Sequence, residues 1–494
     1  MAIHDCCVAM GDKAGGRYDL AIVGAGSAGF AAAIAAAELG AGVALIGNGT
    51  IGGTCINTGC VPSKNLIRAA ESLHRARAAA RFGGITSAGR VQDWRAVVRH
   101  KDDLVSTLRQ KKYIDLLPSY STVAYLKGRA RLANGGVVVD GSPIQAGKII
   151  IATGASPSLP PIPGIESVSC LTSTTALALE QLPRSLLVIG GGYVGCELGQ
   201  MFARAGVTTR SCNVRGDCGG GQRSARAGVA VTIVDVLPIL SAGEPEIATA
   251  LKGYFCDEGI IVRDRVATRA IRKTGSGIAL DIATEGREER IEAETVLIAT
   301  GRRPNTAGLS LEEAGIELLP NGGVKVDDHM RTTRAGIYAA GDVTGRDQFV
   351  YMAAYNALNG DGRCYDTTAM PYVVFTNPQM ASVGLTEAQA REQGLSVKTS
   401  VLSLDQVPRA LAARDTRGLF KLVADAGSGK LLGAHLLAPE GADSIQTAAL
   451  AIEGGLTVGE LTEMIFPYLT TVEGLKLAAQ SFTKDVAKLS CCAG

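Results

Sequence analysis

Aromatic side chains are scarce: Phe, Trp and Tyr make up 4% of the 494 residues, and there is one tryptophan. A core built from large rings is therefore excluded. The 62 glycines and the many alanines suit helices packed closely on parallel strands. An excess of one charge is also missing. The formal charge is +2 with both signs mixed along the chain, which speaks against a nucleic-acid surface. The first seventeen residues lack the charged-then-apolar pattern of a signal peptide. Residues 20–37 are uncharged and as long as a membrane span, but glycines at 24, 26 and 29 interrupt them. The expectation is a soluble, cytoplasmic protein with no membrane insertion. A hydrophobic content of 46% is ample for burial, and the length suggests roughly three domains.

The motifs begin with Asp19-Leu-Ala-Ile-Val, a short apolar strand followed at once by Gly24-x-Gly26-x-x-Gly29. An alanine-rich helix and a second strand at 42–46 complete a βαβ unit, with Ala28 inside the glycine turn. Glycines at this spacing let a pyrophosphate approach backbone N–H groups at a helix N-terminus. The arrangement recurs as an apolar strand at 185–189, Gly190-x-Gly192-x-x-Gly195 and a helix from Cys196. Two such units imply two nucleotides.

Each unit departs from the usual ribose-binding acid. The first ends Leu45-Ile46-Gly47-Asn48, with glycine where an acid is expected. In the second, Asp235 ends the strand but lies 45 residues after Gly190 instead of about 20. The excess coincides with a repeat: Ala-Arg-Ala-Gly-Val occurs at 203–207 and again at 225–229. Removing 208–229 brings Asp235 to 23 residues after Gly190. That stretch is rich in Gly, Arg and Ser, without periodicity, and reads as an exposed insertion. Cys212 and Cys218 within it leave a metal site open as an alternative.

Ile149-Ile-Ile-Ala-Thr153-Gly154 and Val296-Leu-Ile-Ala-Thr-Gly301 are near copies. Ile337-Tyr-Ala-Ala-Gly341-Asp342 is a third strand, ending in an acid suited either to ligand hydroxyls or to capping a turn.

Twelve cysteines fall partly in pairs, at 6/7, 55/60, 212/218 and 491/492. In a reducing compartment such pairs are more often catalytic or metal-binding than structural. Cys170, Cys196, Cys256 and Cys364 stand singly and read as small buried residues. The segment Gly52-Gly53-Thr54-Cys55-Ile-Asn-Thr-Gly-Cys60-Val-Pro62-Ser-Lys64 follows the first nucleotide unit directly. One turn could bring the two sulfurs together, and Pro62 suits the first turn of a helix. A helix N-terminus with Lys64 nearby favours the thiolate. A structural disulfide or half of a zinc site is the alternative, though a zinc site needs two further ligands and no Cys-x-x-Cys partner is apparent.

From about Asp19 onward these motifs resemble the FAD-dependent pyridine nucleotide–disulfide oxidoreductases. The resemblance implies an α/β fold with two Rossmann-like dinucleotide-binding domains, for FAD and NAD(P), and a C-terminal α+β dimerisation domain. The implied limits are a flexible segment 1–17, an FAD domain at 18–170 and 302–370, and an NAD(P) domain at 171–301 carrying the insertion. The dimerisation domain takes 371–494 with its Cys-Cys tail. Gly24, Gly26, Ala28, Gly29, Gly53, Thr54, Lys64, Thr153, Gly154, Gly301 and Asp342 are then cofactor contacts, as are Gly190, Gly192, Gly195 and Asp235 in the second unit. Cys60 becomes the thiol against the flavin and Cys55 the exchanging thiol. Lys64 pairs with Glu197 near the flavin, and Tyr193 covers the nicotinamide pocket.

The C-terminal region narrows the resemblance. Dithiol–disulfide members carry a histidine acid near the end, a role for which imidazole is suited. Here the matching stretch is Phe466-Pro-Tyr468-Leu-Thr, and no histidine follows His435. The chain ends instead in Cys491-Cys492-Ala-Gly. Adjacent Cα atoms lie about 3.8 Å apart, below the usual disulfide span, so the pair tends to remain two thiols, good ligands for a soft metal. This signature is similar to the mercuric reductase family. That likeness implies NADPH- or NADH-dependent reduction of thiol-bound Hg(II), with Cys55, Cys60, Cys491 and Cys492 as metal ligands. It also implies a homodimer whose active site is shared, Tyr468 coming from the partner subunit. Cys6 and Cys7 are a further, weaker candidate for metal. A dihydrolipoamide dehydrogenase-like activity and a non-catalytic metal-sequestering flavoprotein are the alternatives. Asp235 favours NADH, whereas Arg210, Arg215, Arg223 and Arg226 of the insertion could offset repulsion of a 2′-phosphate.

Overall fold

The computed structural model describes residues 16–133, 135–206, 229–358 and 364–488. The chain divides into two compact units. The first holds the described residues of Met1–Asn65, Val98–Ser158 and Gly301–Tyr365, the second those of Leu66–Val97, Leu159–Thr300 and Asp366–Gly494.

The first unit is built on a seven-stranded sheet. Its parallel centre runs through Val123–Lys127, Val43–Gly47, Arg17–Val23, Ser142–Ile151 and Ile337–Ala339. Ala130–Ala133 and Gly136–Val139 extend it as antiparallel strands. Val43–Gly47 is buried along its whole length, which explains its unbroken apolar run. The helix Ser27–Glu38 covers one face and buries Ala28, Phe30, Ala32 and Ala33.

The second unit holds a five-stranded parallel sheet in the order Ile261–Arg263, Ala230–Val234, Ser185–Ile189, Thr295–Ile298, Cys170–Leu171. Ala230–Val234 lies directly beside Ser185–Ile189, as expected once the intervening stretch is set aside. Val229, counted with the insertion from the repeat, is buried at the entry to that strand. The rest of 208–229, with Cys212, Cys218 and the four arginines, lies outside the described residues. An antiparallel ribbon, Ala267–Thr274, Gly277–Thr284 and Arg287–Ala293, follows. The last part is a five-stranded antiparallel sheet, with Leu431–Ala438 between Gln379–Gly384 and Leu419–Asp425. The helices Gly441–Glu453 and Glu473–Gln480 share its core through Ile445, Ala448 and Leu475. Among the described residues no helix is long and apolar enough to cross a membrane.

Candidate active site

The turn at Gly24 is shaped by close packing. A Cβ on Gly24 would meet the Ala152 carbonyl oxygen at 2.1 Å, and one on Gly29 the Gly24 carbonyl oxygen at 1.8 Å. Only glycine allows strand, turn and helix to approach so closely. The second unit repeats the arrangement: a Cβ on Gly190 would meet the Ala299 carbonyl oxygen at 2.3 Å, and one on Gly195 the Gly190 carbonyl oxygen at 1.8 Å. The near-copied segments ending at Gly154 and Gly301 thus supply equivalent walls. Both helices, Ser27–Glu38 and Tyr193–Ala205, start at a glycine with no side-chain cap and no acid in the first turn. Their leading N–H groups suit an anionic pyrophosphate, so the residues present fit the two dinucleotides.

Cys55 lies on the short helix Gly53–Thr58, and Cys60 opens the helix Cys60–Ala78, with Pro62 in its first turn. This redox segment docks onto the nucleotide turn. Gly52 N–H donates to the Ala25 carbonyl at 2.9 Å, and a Cβ on Gly53 would meet Gly26 Cα at 2.6 Å. Thr54 is exposed, while Cys55, Cys60 and Lys64 are half-buried. Both cysteines are thiols. The hydrogen bond to Cys60 pushes the Cys55 thiol far above the ordinary thiol range. Burial and the like charge of Cys60 add to this, and Lys64 opposes it. In the reduced pair, Cys55 therefore keeps its proton when one sulfur ionises.

Three partners of this loop carry no local sequence signal. Asn57 Nδ2 donates to the carbonyls of Ile51 at 2.9 Å and Gly53 at 2.8 Å. Arg109 Nη1 donates to Asn57 Oδ1 at 2.9 Å. Tyr113 packs edge-on against Phe30, with ring centroids 4.8 Å apart. Burial raises its phenol, a Ser27 hydrogen bond lowers it, and the charges of Cys55 and Cys60 raise it further. Arg109 and Tyr113 stand some fifty residues away in sequence.

Thr153 and Gly154 are held by Asn305. Thr153 Oγ1 donates to its carbonyl at 2.7 Å, and Asn305 N–H donates to the Gly154 carbonyl at 2.9 Å. Gly301 accepts from Ser158 N–H at 3.1 Å. A Cβ on Gly341 would meet Ala28 Cβ at 3.2 Å, which sets the neighbouring Asp342 beside the first glycine turn. Burial raises the Asp342 carboxyl, and Arg302, 3.7 Å away, opposes that.

In the second unit, Gly192 and Tyr193 begin the helix Tyr193–Ala205. Buried Glu197 accepts from Phe375 N–H at 2.9 Å. One and two turns on, Gln200 Nε2 and Arg204 Nη2 donate to the Asn377 carbonyl at 3.0 and 3.1 Å. Asp235 accepts from Gly191 N–H through Oδ2 at 2.5 Å and from Leu237 N–H through Oδ1 at 2.8 Å. It thereby braces the glycine turn at the strand end. Tyr468 is exposed beside Ile465, which is 98% exposed. His435 is buried, its Nε2 3.0 Å from the Leu385 carbonyl.

Among the single cysteines, Cys196 is fully buried as expected. The others differ: Cys170 is half-buried, Cys364 is exposed and Cys256 is disulfide-bonded. Cys6, Cys7, Cys491 and Cys492 lie outside the described residues.

Residues 18–360 match the pyridine nucleotide-disulphide oxidoreductase family and residues 370–479 its dimerisation domain. The chain belongs to the pyridine nucleotide-disulphide oxidoreductases. It is 47% identical over 490 residues to a mercuric reductase of Streptomyces lividans, covering 97% of this chain and 98% of that one. It is 44% identical to a mercuric reductase of Bacillus cereus, covering 99% of this chain and 75% of that one. Among solved structures it resembles the HOCl-induced flavoprotein disulfide reductase RclA of Escherichia coli, with a TM-score of 0.79 and 31% identity, covering 94% and 100% of the two chains.

Proposed function

We propose that the chain reduces Hg(II) to Hg(0), using NADH or NADPH as donor, FAD as its resident cofactor and Cys55 and Cys60 as the dithiol that holds the metal. The observation that carries this reading is a redox dithiol with no histidine acid to serve a disulfide substrate. The segment Phe466-Pro-Tyr-Leu-Thr has no histidine, and the last histidine, His435, is buried against the Leu385 carbonyl. Relatives named mercuric reductase, 39–47% identical over nearly the whole chain, support the same reading.

Two thiolates favour a soft, two-coordinate metal ion. The proton kept on Cys55 leaves with the thiol that the chain displaces from Hg(II). The second displaced thiol leaves as thiolate. NAD(P)H then gives up two electrons and a proton; Hg(II) accepts the electrons and the proton returns to Cys55, so the reduced pair is regenerated. FAD, when bound, relays those electrons between the nicotinamide and the sulfurs. The turn at Gly24, Gly26 and Gly29, with Gly53, Thr153 and Asp342, would hold it. The turn at Gly190, Gly192 and Gly195 would hold the dinucleotide, Tyr193 would cover the nicotinamide, and Lys64 and Glu197 would pair beside the flavin. Asp235 at the strand end favours a free 2′-hydroxyl and hence NADH.

The exposed apolar side chains around Tyr468 suit a homodimer formed through the C-terminal domain. In it, Tyr468 and the Cys491–Cys492 tail would serve the partner subunit's cysteines. The need for NAD(P)H and reduced thiols suits a cytoplasmic setting.

The test is NAD(P)H oxidation in excess thiol, with and without Hg(II). Turnover that requires Hg(II), with no turnover on lipoamide or glutathione disulfide, is expected. Absence of Hg(II)-dependent turnover would overturn the proposal. The ratio of kcat/KM for NADH and NADPH then decides the donor.

A further inference from the structure

The acid that meets the adenosine ribose in a dinucleotide-binding unit stands at the end of its second strand. Asp235 occupies that place in the second unit. In the first, the strand Val43–Gly47 ends in glycine. Backbone conformation does not require this glycine, because Gly47 is absent from the positive-φ positions. Space does. A Cβ on Gly47 would meet Tyr125 Oη at 2.7 Å, Tyr125 Cε2 at 3.1 Å and Ala25 Cβ at 3.0 Å. The Tyr125 phenol thus fills the volume through which an acidic side chain would leave the strand.

Strand pairing delivers it there. Val123–Lys127 runs parallel to Val43–Gly47, with Tyr125 opposite Leu45 and Lys127 opposite Gly47. The Tyr125 ring leans along the sheet toward the strand end and packs with the cluster of Ile22, Phe30 and Leu45. The side chain is half-buried, and among the described residues nothing hydrogen-bonds its hydroxyl. Ala25, the other neighbour of the Gly47 Cβ position, belongs to the glycine turn itself. The hydroxyl is therefore beside the turn, at the place where ribose oxygens are met.

We propose that Tyr125 substitutes for the missing acid and hydrogen-bonds the adenosine ribose of FAD. This rests on the reading that the Gly24–Gly29 unit holds FAD. A carboxylate accepts from both ribose hydroxyls, whereas a phenol donates one hydrogen bond and can accept another. Burial raises the phenol's pKa, so it stays a donor across the working pH range.

The experiment measures FAD dissociation from the holoenzyme by the rise of free-flavin fluorescence on dilution. The same is done with an FAD analogue whose adenosine lacks both ribose hydroxyls. Tyr125→Phe keeps the ring and removes the hydroxyl. It is expected to weaken FAD about three- to tenfold, the range of one lost hydrogen bond. It should also lose most of the wild-type preference for FAD over the analogue. Unchanged FAD affinity, or equal weakening of both flavins, would overturn the proposal. In a second variant, Gly47→Glu combined with Tyr125→Ala should bind FAD more tightly than Tyr125→Ala alone, because the space and the acid are restored together. Failure to do so would also overturn it. A wild-type protein isolated without FAD would sink the site assignment itself, a result distinct from these.

Discussion

Arg109 and Asn57 are joined by a hydrogen bond of 2.9 Å, and through it a helix remote in sequence holds the loop between the two redox cysteines. Asn57 spends its amide N–H groups on Ile51 and Gly53, so all its polar atoms brace one turn. Asn57→Ala is expected to loosen the Cys55–Cys60 geometry without altering either sulfur. Two or three hydrogen bonds at roughly 1 kcal/mol each correspond to a loss of about thirty- to a hundred-and-fiftyfold in kcat/KM for Hg(II). Steady-state kinetics checks this, and Arg109→Leu should show a smaller loss in the same direction.

Cys55 keeps its proton because Cys60 sits beside it. Removing Cys60 as Cys60→Ala takes away the largest upward influence and leaves the downward pull of Lys64. The pH–rate profile for alkylation of Cys55 in the reduced protein should then move to lower pH than in the wild type. Iodoacetamide labelling read by mass spectrometry from about pH 6 to about pH 10, roughly two units either side of an ordinary thiol's titration, measures it. An unmoved profile would count against the coupling.

His74 is held near a pKa of about 4 by burial, then by the charges of Arg204 and Arg417, with Glu258 opposing. Its folded-state pKa lies below the ordinary value of 6.5. The unfolded chain therefore takes up the proton first as pH falls. The stability that neutral His74 contributes is present above about pH 6.5 and is lost progressively toward about pH 4. His74→Gln should flatten the fall of the thermal midpoint across that window. Melting curves at a series of pH values supply the comparison.

Lys421 is buried among three carboxylates, 2.8 Å from Glu244, 2.8 Å from Glu246 and 2.9 Å from Glu387. Removing the ammonium leaves the buried Glu244 carboxylate uncompensated, a change that costs about 3–5 kcal/mol. Lys421→Met should accordingly lower the melting temperature by several degrees. Adding Glu244→Gln and Glu387→Gln should recover part of the loss. Differential scanning calorimetry of the single and triple variants would show it.

Much of the fold is legible in local spacing. Gly24-x-Gly26-x-x-Gly29 and its copy at Gly190 announce themselves because a strand, a tight turn and a helix need those glycines at fixed separations. The cysteine pair is equally local. Four intervening residues and a following helix start are enough to bring two sulfurs together and favour a thiolate. The misplaced Asp235 could be restored to its strand because a repeated pentapeptide marks the excess.

What the sequence by itself determined is therefore the set of short-range devices: two nucleotide turns, a dithiol and a C-terminal region without a histidine acid. Tertiary structure alone decided which distant side chains complete them. Arg109 reaches Asn57, Phe375 N–H reaches Glu197, and His435 is buried away from solvent. The gap at Gly47 reads along the chain as a missing ribose ligand, and the neighbouring strand fills it with Tyr125. The physical reason is the same each time. Spacing along a strand or helix sets which residues share a turn, but strand order and packing, which long-range burial selects, set what faces that turn across the fold.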